Sequence, residues 1–199
     1  MMTVRQIERL WGSKGYAKLL DELLSARPEG ELASRFKSSP AIAAAAMAMI
    51  RLDELDQAHV SLYGDLLRLV LARQDADGGW GEPVLTALCV RALSGGRGEG
   101  IAIERGLKYL ASLQQDAGIW PGGPLRRMPA DAYASAAILS QLGDHSGFRE
   151  AVRVADAMRW FETHESSFDT ATRALWSRAR LRCRMHALRA SRQLAVSWS

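Results

Sequence analysis

The sequence predicts an all-α fold of about four antiparallel helical hairpins, and three observations carry that expectation. Leu, Ala, Arg, Glu and Met dominate nearly every segment, and no stretch alternates apolar and polar residues with the β-branched and aromatic enrichment of a strand. Breakers cut the chain into helix-sized lengths: Pro28-Glu29-Gly30, Pro40, Gly78-Gly79, Gly95-Gly96, Gly98, Gly118, Pro121-Gly122-Gly123-Pro124 and Gly143. The third observation is a repeat. Setting "LLRLVLARQDADGGW", which ends at Trp80, against "LKYLASLQQDAGIW", which ends at Trp120, places Gln74 on Gln114, Gly78 on Gly118 and Trp80 on Trp120, a period of 40 residues. Periods of this size are left by helical hairpins that stack or close into a ring.

The elements run in order along the chain. A helix over residues 3–26 ends before Pro28, and a second over 40–53 carries the apolar run "AIAAAAMAMI". After the acidic corner "RLDELDQ", a third runs over 57–73 into the Gln74 corner. Pro83 opens the next, 83–94, because a first-turn proline loses no helical hydrogen bond. The glycine-rich "SGGRGEG" connects it to 101–115, which leads into the Gln114 corner. Beyond a longer loop come 130–142, 147–163 and 169–190. "TALCVRAL" at 86–93 and "SAAILSQL" at 135–142 form a second register offset by 49 residues, and "PAIAAAAMAMIRL" at 40–52 and "FDTATRALWSRARL" at 168–181 share their composition.

A chain of 199 residues suits a single helical-repeat domain over 1–199, with residues 173–199 as its basic C-terminal helix and tail. No secretory leader is visible, and the longest apolar run, residues 41–50, is about half of the ~20 needed to cross a bilayer. The expected location is therefore cytoplasmic. Cys89 and Cys183 stand apart, without a paired cysteine or clustered histidines, and read as small buried hydrophobes. Neither a metal nor a cofactor is expected. The net charge of +4 is modest, but seven arginines and no acidic residue lie between Arg173 and Arg192.

"DADGGWGEP" poses three alternatives: metal loop, phosphate cradle, or structural corner. A calcium loop begun at Asp75 would want an oxygen ligand, Gly and Glu at its fifth, sixth and twelfth places, where this chain has Gly79, Trp80 and Thr86. A phosphate loop would lead into Gly-Lys-Ser/Thr, and here the glycines lead into Trp-Gly-Glu-Pro. The corner reading uses every residue. Gln satisfies orphan backbone groups at a helix end, Gly takes a conformation closed to other residues, and Trp covers the turn while its N–H seeks an acceptor.

"RGLKYLASLQQDAGIW", residues 105–120, resembles the QW repeat of the squalene and hopene cyclases through Arg105, Gly106, Tyr109, Leu110, Gln114, Gly118 and Trp120. The copy ending at Trp80 keeps Gln74, Gly78 and Trp80 and lacks the leading basic-Gly pair. The likeness covers residues 66–143 and extends more loosely to protein prenyltransferases. It implies an α/α toroid in which the corners clamp neighbouring hairpins. A closed ring in that family needs about six hairpins, so about four imply an open or partial toroid. The family's Asp-x-Asp-Asp proton donor, the Asp-Asp-x-x-Asp magnesium site of ionising terpene synthases and the prenyltransferase zinc set are all absent from this sequence.

The resemblance thus implies a non-catalytic scaffold that binds a protein partner or a hydrophobic ligand on the concave face of the helices 40–53, 83–94, 130–142 and 169–181. Glu82, Arg126, Arg127, Asp131, Tyr133 and Asp169 are the candidate ligand-binding residues, with Asp131 and Asp169 also suited to N-cap the helices that they precede. One alternative is an isoprenoid cyclase-like or prenyltransferase-like enzyme, its acid drawn from Glu82, Asp131 or Asp169 and its cavity completed by dimerisation. His59, His145, His164 and His186 are scattered and read as surface or helix-end residues, and Trp160-Phe161 as core. A second alternative is nucleic-acid or acidic-surface binding through Arg178, Arg182, Arg184, Arg189 and Arg192, which surround an apolar stripe of Leu181, Met185 and Leu188.

Overall fold

A computed structural model of the chain describes residues 31–95, 99–122 and 130–196, and the side chains within them except those of 31–40, Ala130 and 186–196. The expected helix over 3–26 and the arginines Arg126 and Arg127 lie outside the described residues. Two compact units divide the chain, Met1–Ala41 and Ile42–Ser199. Of the first, residues 31–41 are described, and they are helical. The second unit holds both Gln-to-Trp corners and the helices that they join.

Among the described residues there is no strand. The helices are α1 (Glu31–Glu54), α2 (Ser61–Ala72), α3 (Pro83–Leu93), α4 (Gly100–Leu113), α5 (Ala130–Leu142), α6 (Ser146–Ala151), α7 (Val154–His164) and α8 (Thr170–Val196), with one 3-10 turn at Glu165–Ser167. None of the described helices is long and apolar enough to cross a membrane. The start expected at Pro40 is displaced: the helix extends back to Glu31, with Pro40 inside it and one backbone hydrogen bond forgone. The acidic corner after α1 turns at Asp56, whose φ of 55° is left-handed, a conformation that Asp tolerates better than most residues. Pro83 is the first residue of α3, as its missing N–H requires.

Where one helix was expected over 147–163 there are two. Val152, extended at φ −129° and ψ 159°, separates α6 from α7. The interruption carries no Gly or Pro. It is held from outside, because Gln114 Oε1 accepts from the Arg153 N–H at 2.9 Å and its Nε2 donates to the Arg153 carbonyl at 3.3 Å.

Each pair consists of a first helix, a corner and a second helix: α2 to α3, α4 to α5, and α6 with α7 to α8. The second helices lie side by side, α3 on α5 and α5 on α8, while α4 packs on α3 and on α6. The core between them is mainly apolar, with Trp80, Trp120, Trp176, Phe148, Phe161, Leu93, Leu110, Ile138 and Leu139 at 2 % exposure or less, and it admits the buried hydroxyls of Thr86 and Ser135.

Two of the corners share four equivalent hydrogen bonds. At the first, Gln74 Nε2 donates to the carbonyls of Gly78 at 2.9 Å and Ala102 at 2.8 Å, and the Trp80 indole N–H donates to Val70 at 2.8 Å. At the second, Gln114 Nε2 donates to Gly118 at 2.7 Å as well as to Arg153, and the Trp120 indole N–H donates to Leu110 at 2.7 Å. The Trp80 backbone N–H donates to Thr86 Oγ1 at 3.0 Å and that of Trp120 to Ser135 Oγ at 2.8 Å, which ties the 49-residue register to the same geometry. An arginine of the next hairpin closes each corner: Arg105 of α4 donates to the Asp75 and Ala76 carbonyls, and Arg153, between α6 and α7, to Gln115. The glutamine therefore reaches forward as well as inward, joining its own turn to the following hairpin.

The corner before α8 is built differently. Phe168 takes the covering place and packs on Phe161 at 5.2 Å, while Phe161 stacks on Trp176 at 4.6 Å. Trp160 stacks on His164 at 4.4 Å, so of the expected aromatic pair Phe161 is the fully buried member.

Candidate functional site

The second helices begin with acidic residues, and the structure gives each a distinct place. Glu82 precedes α3, is exposed, and makes no side-chain cap bond. Asp131 lies within the first turn of α5 rather than before it. Its carboxylate accepts instead from the Gly122 N–H at 2.7 Å and from Gln115 Nε2 at 3.3 Å, so it ties α5 back to the residues just after the Trp120 corner. The cap expected of it is thus corrected to a loop anchor, reached because the helix begins at Ala130. Asp169 is a cap: its Oδ1 accepts from the Thr172 N–H at 2.6 Å. That backbone N–H, with the Thr172 hydroxyl and the positive Arg173 nearby, holds the Asp169 carboxyl below the usual carboxylate range. Tyr133 is half-buried on α5.

The 49-residue register brings a face into view. Val84 on α3 corresponds to Tyr133 on α5, and Leu88 to Ala137; all four are half-exposed while their helical neighbours Leu85, Thr86, Ala134, Ser135 and Leu139 are buried. Gln141 continues the α5 stripe one turn further and is also half-exposed. On α8 the buried Thr172 takes the place of Thr86 and Ser135, which sets Thr170, Ala174 and Arg178 in register with Tyr133, Ala137 and Gln141; all three are exposed. The result is a strip of mainly small and aliphatic side chains across three adjacent helices. No family model, curated protein or solved structure matches the chain. The strip is accordingly characterised by its own chemistry, which is apolar at its centre and polar toward Gln141 and Arg178.

Sequence reasoning named Tyr133 on this strip and missed Val84, Leu88, Ala137 and Gln141. For Val84, Leu88 and Ala137 the signal was available in the offset of 49 residues, which sets Val84 on Tyr133 and Leu88 on Ala137 once Thr86 and Ser135 are aligned, and Gln141 follows Ala137 by one helical turn.

Other candidate groups are committed to structure. Both cysteines are buried, and burial pushes the Cys89 thiol far up and that of Cys183 up to about 11, so neither is a ready nucleophile. His145 precedes α6, and its Nδ1 accepts from the Phe148 N–H at 3.1 Å. Burial lowers its pKa, an effect opposed by Asp144 and Glu150 and reinforced by Arg91. Among the described residues, no group of three or more His, Cys, Asp or Glu is placed to hold a metal. Arg182 joins Asp144 through Nε at 2.6 Å and donates to the Ser140 carbonyl at 3.0 Å, fixing α8 to the end of α5. Arg178 and Arg184 are exposed, whereas the side chains of Arg189 and Arg192 lie outside the described residues.

Proposed function

We propose that the chain is a non-catalytic α/α-repeat scaffold, an open or partial toroid akin to the QW-repeat proteins, which binds a protein partner or a hydrophobic ligand on the strip formed by Val84, Leu88, Tyr133, Ala137 and Gln141. The observation that carries this reading is the set of four equivalent hydrogen bonds shared by the two Gln-to-Trp corners. In each, the tryptophan ties the two helices of its own hairpin and the glutamine joins that hairpin to the next, and the outcome is a row of second helices with one face turned away from the core.

The acidic residues support the same reading. A general acid needs a carboxyl that holds its proton near neutral pH. Asp169 is instead stabilised in its ionised form by its cap bonds, and Asp131 is occupied by two donors. Both positions serve helix starts and loop closure.

The test is affinity capture from the source cell with mass spectrometry of bound proteins and small molecules, run beside a Leu88→Glu/Tyr133→Glu variant. A stoichiometric protein or a single lipid species captured by the parent chain and lost from the variant is the expected result. Specific turnover of a prenyl diphosphate or a polyene by the purified protein rejects the proposal.

A further inference from the structure

Helix α8 carries a stripe left exposed by the described residues. Ala174, Arg178, Leu181 and Met185 follow one another at steps of four, three and four, the spacing of a coiled-coil seam, and the sequence continues it with Leu188 and Arg192. All four are exposed, Leu181 by 64 % and Met185 by 39 %. The core side of the same helix is occupied by Thr172, Trp176, Ala179 and Cys183, all buried. Exposed arginines border the apolar pair, Arg178 on the seam one turn before it and Arg184 at its side next to Met185, and no Asp or Glu occurs between residues 170 and 199.

We infer that this stripe is a docking seam for an acidic amphipathic helix of a partner protein, one with aliphatic residues along its seam and Glu or Asp beside them. Charge selects that occupant. A second copy of this chain would set arginines against arginines, because like charges at flanking positions repel across a helix pair. A nucleic-acid backbone would satisfy the arginines and leave Leu181 and Met185 against phosphates. An anionic bilayer calls for a broad apolar face, whereas this stripe is bounded by cations within one turn, as narrow as the seam between two helices. The inference deepens the scaffold reading and rests on it, since Ala174 and Arg178 belong to both the seam and the α8 end of the strip.

The experiment measures fluorescence anisotropy of the full chain with a labelled four-heptad peptide bearing Leu at its seam and Glu at its flanks, at physiological salt. Saturable binding is expected, weakened at least about tenfold by Leu181→Ser/Met185→Ser and by Arg178→Glu/Arg184→Glu. These side chains are exposed, so unchanged helical circular dichroism is the folding control. A Lys-flanked peptide with the same seam should bind the Arg178→Glu/Arg184→Glu variant in preference to the parent. Failure of the Glu-flanked peptide to bind, equal binding of both peptides, or affinity unmoved by Leu181→Ser/Met185→Ser overturns the inference. So does tighter binding to phosphatidylserine vesicles or duplex DNA than to the peptide. Leu88→Glu/Tyr133→Glu should leave peptide affinity intact, so a failed seam and a failed strip are told apart.

Discussion

Gly118 and Gly81 share nearly the same backbone, φ +83° and +84°, in opposite surroundings. A Cβ at Gly118 would lie 2.5 Å from the Ala157 backbone nitrogen and 2.8 Å from the Asp156 carbonyl carbon, whereas one at Gly81 would meet nothing within 4 Å. Gly81→Ala should therefore show only left-handed strain, about 1–2 kcal/mol. Gly118→Ala adds a clash with the backbone of α7, which cannot yield alone, and should cost about 3 kcal/mol or more. Urea unfolding of the two variants checks the order, and equal losses would remove the close approach from the argument. Tyr63 offers the reverse case. Its hydroxyl is buried with no hydrogen-bond partner among the described residues, and burial together with Asp53 and Glu99 raises its pKa. Tyr63→Phe should be neutral or stabilising by up to about 1 kcal/mol, because it removes an unsatisfied polar atom while keeping the ring. A clear loss in melting temperature would show that the hydroxyl is bonded after all. The glycine's role was readable from Gly-x-Trp in the sequence; the stranded hydroxyl was not, since nothing local in "SLYGDLL" distinguishes a satisfied phenol from an unsatisfied one.

The short helix α6 depends on a histidine cap, and that makes it sensitive to pH. Neutral His145 accepts the Phe148 N–H at Nδ1, and protonation turns that acceptor into a donor. Burial places the folded-state pKa below the ordinary value near 6.5, so on acidification the unfolded chain takes up its proton first. The contribution is complete above about pH 6.5 and is lost as pH falls through the folded pKa. His145→Asn keeps a capping side chain without a titrating one, so stability measured from pH 7.5 down to 5 should decline less in the variant than in the parent. Parallel declines would assign the pH dependence to other groups. The elements were legible where breakers punctuate the chain: Pro83, Gly95 and Gly143 lie at or just beyond helix ends, and Gly118 within a corner. The division of 147–163 was not legible, because Val152 and Arg153 hold no local signal and the break is drawn by Gln114, distant in sequence. Asp131 was misplaced for a related reason: its partners, Gly122 and Gln115, lie 9 and 16 residues before it, outside any local capping pattern.

Across the molecule, the repeat translated directly into paired helices because Gln, Gly and Trp are each used for what only that residue supplies at a corner. The candidate strip was harder to see. Val84, Leu88 and Ala137 have the composition of core residues, and their half-exposure is a property of three neighbouring helices together rather than of any one of them. If neighbouring hairpins are joined mainly at such corners, stability in the unit Ile42–Ser199 should be distributed among them. Gln74→Ala removes two side-chain hydrogen bonds to carbonyls, one of them to the next hairpin; Gln114→Ala removes bonds at three points, two of them on Arg153. Each should cost about 1–3 kcal/mol, with Gln114→Ala the larger. The two side chains share no partner, so the double variant should lose the sum of the single losses to within about 0.5 kcal/mol. The urea m value should stay constant if the unit still unfolds in one step, since m follows the surface exposed. A double variant whose transition splits in two would locate the coupling between hairpins in the corners themselves rather than in the packing of α3, α5 and α8. Single-site losses below about 0.3 kcal/mol would show that the side-by-side packing carries the architecture without the clamps.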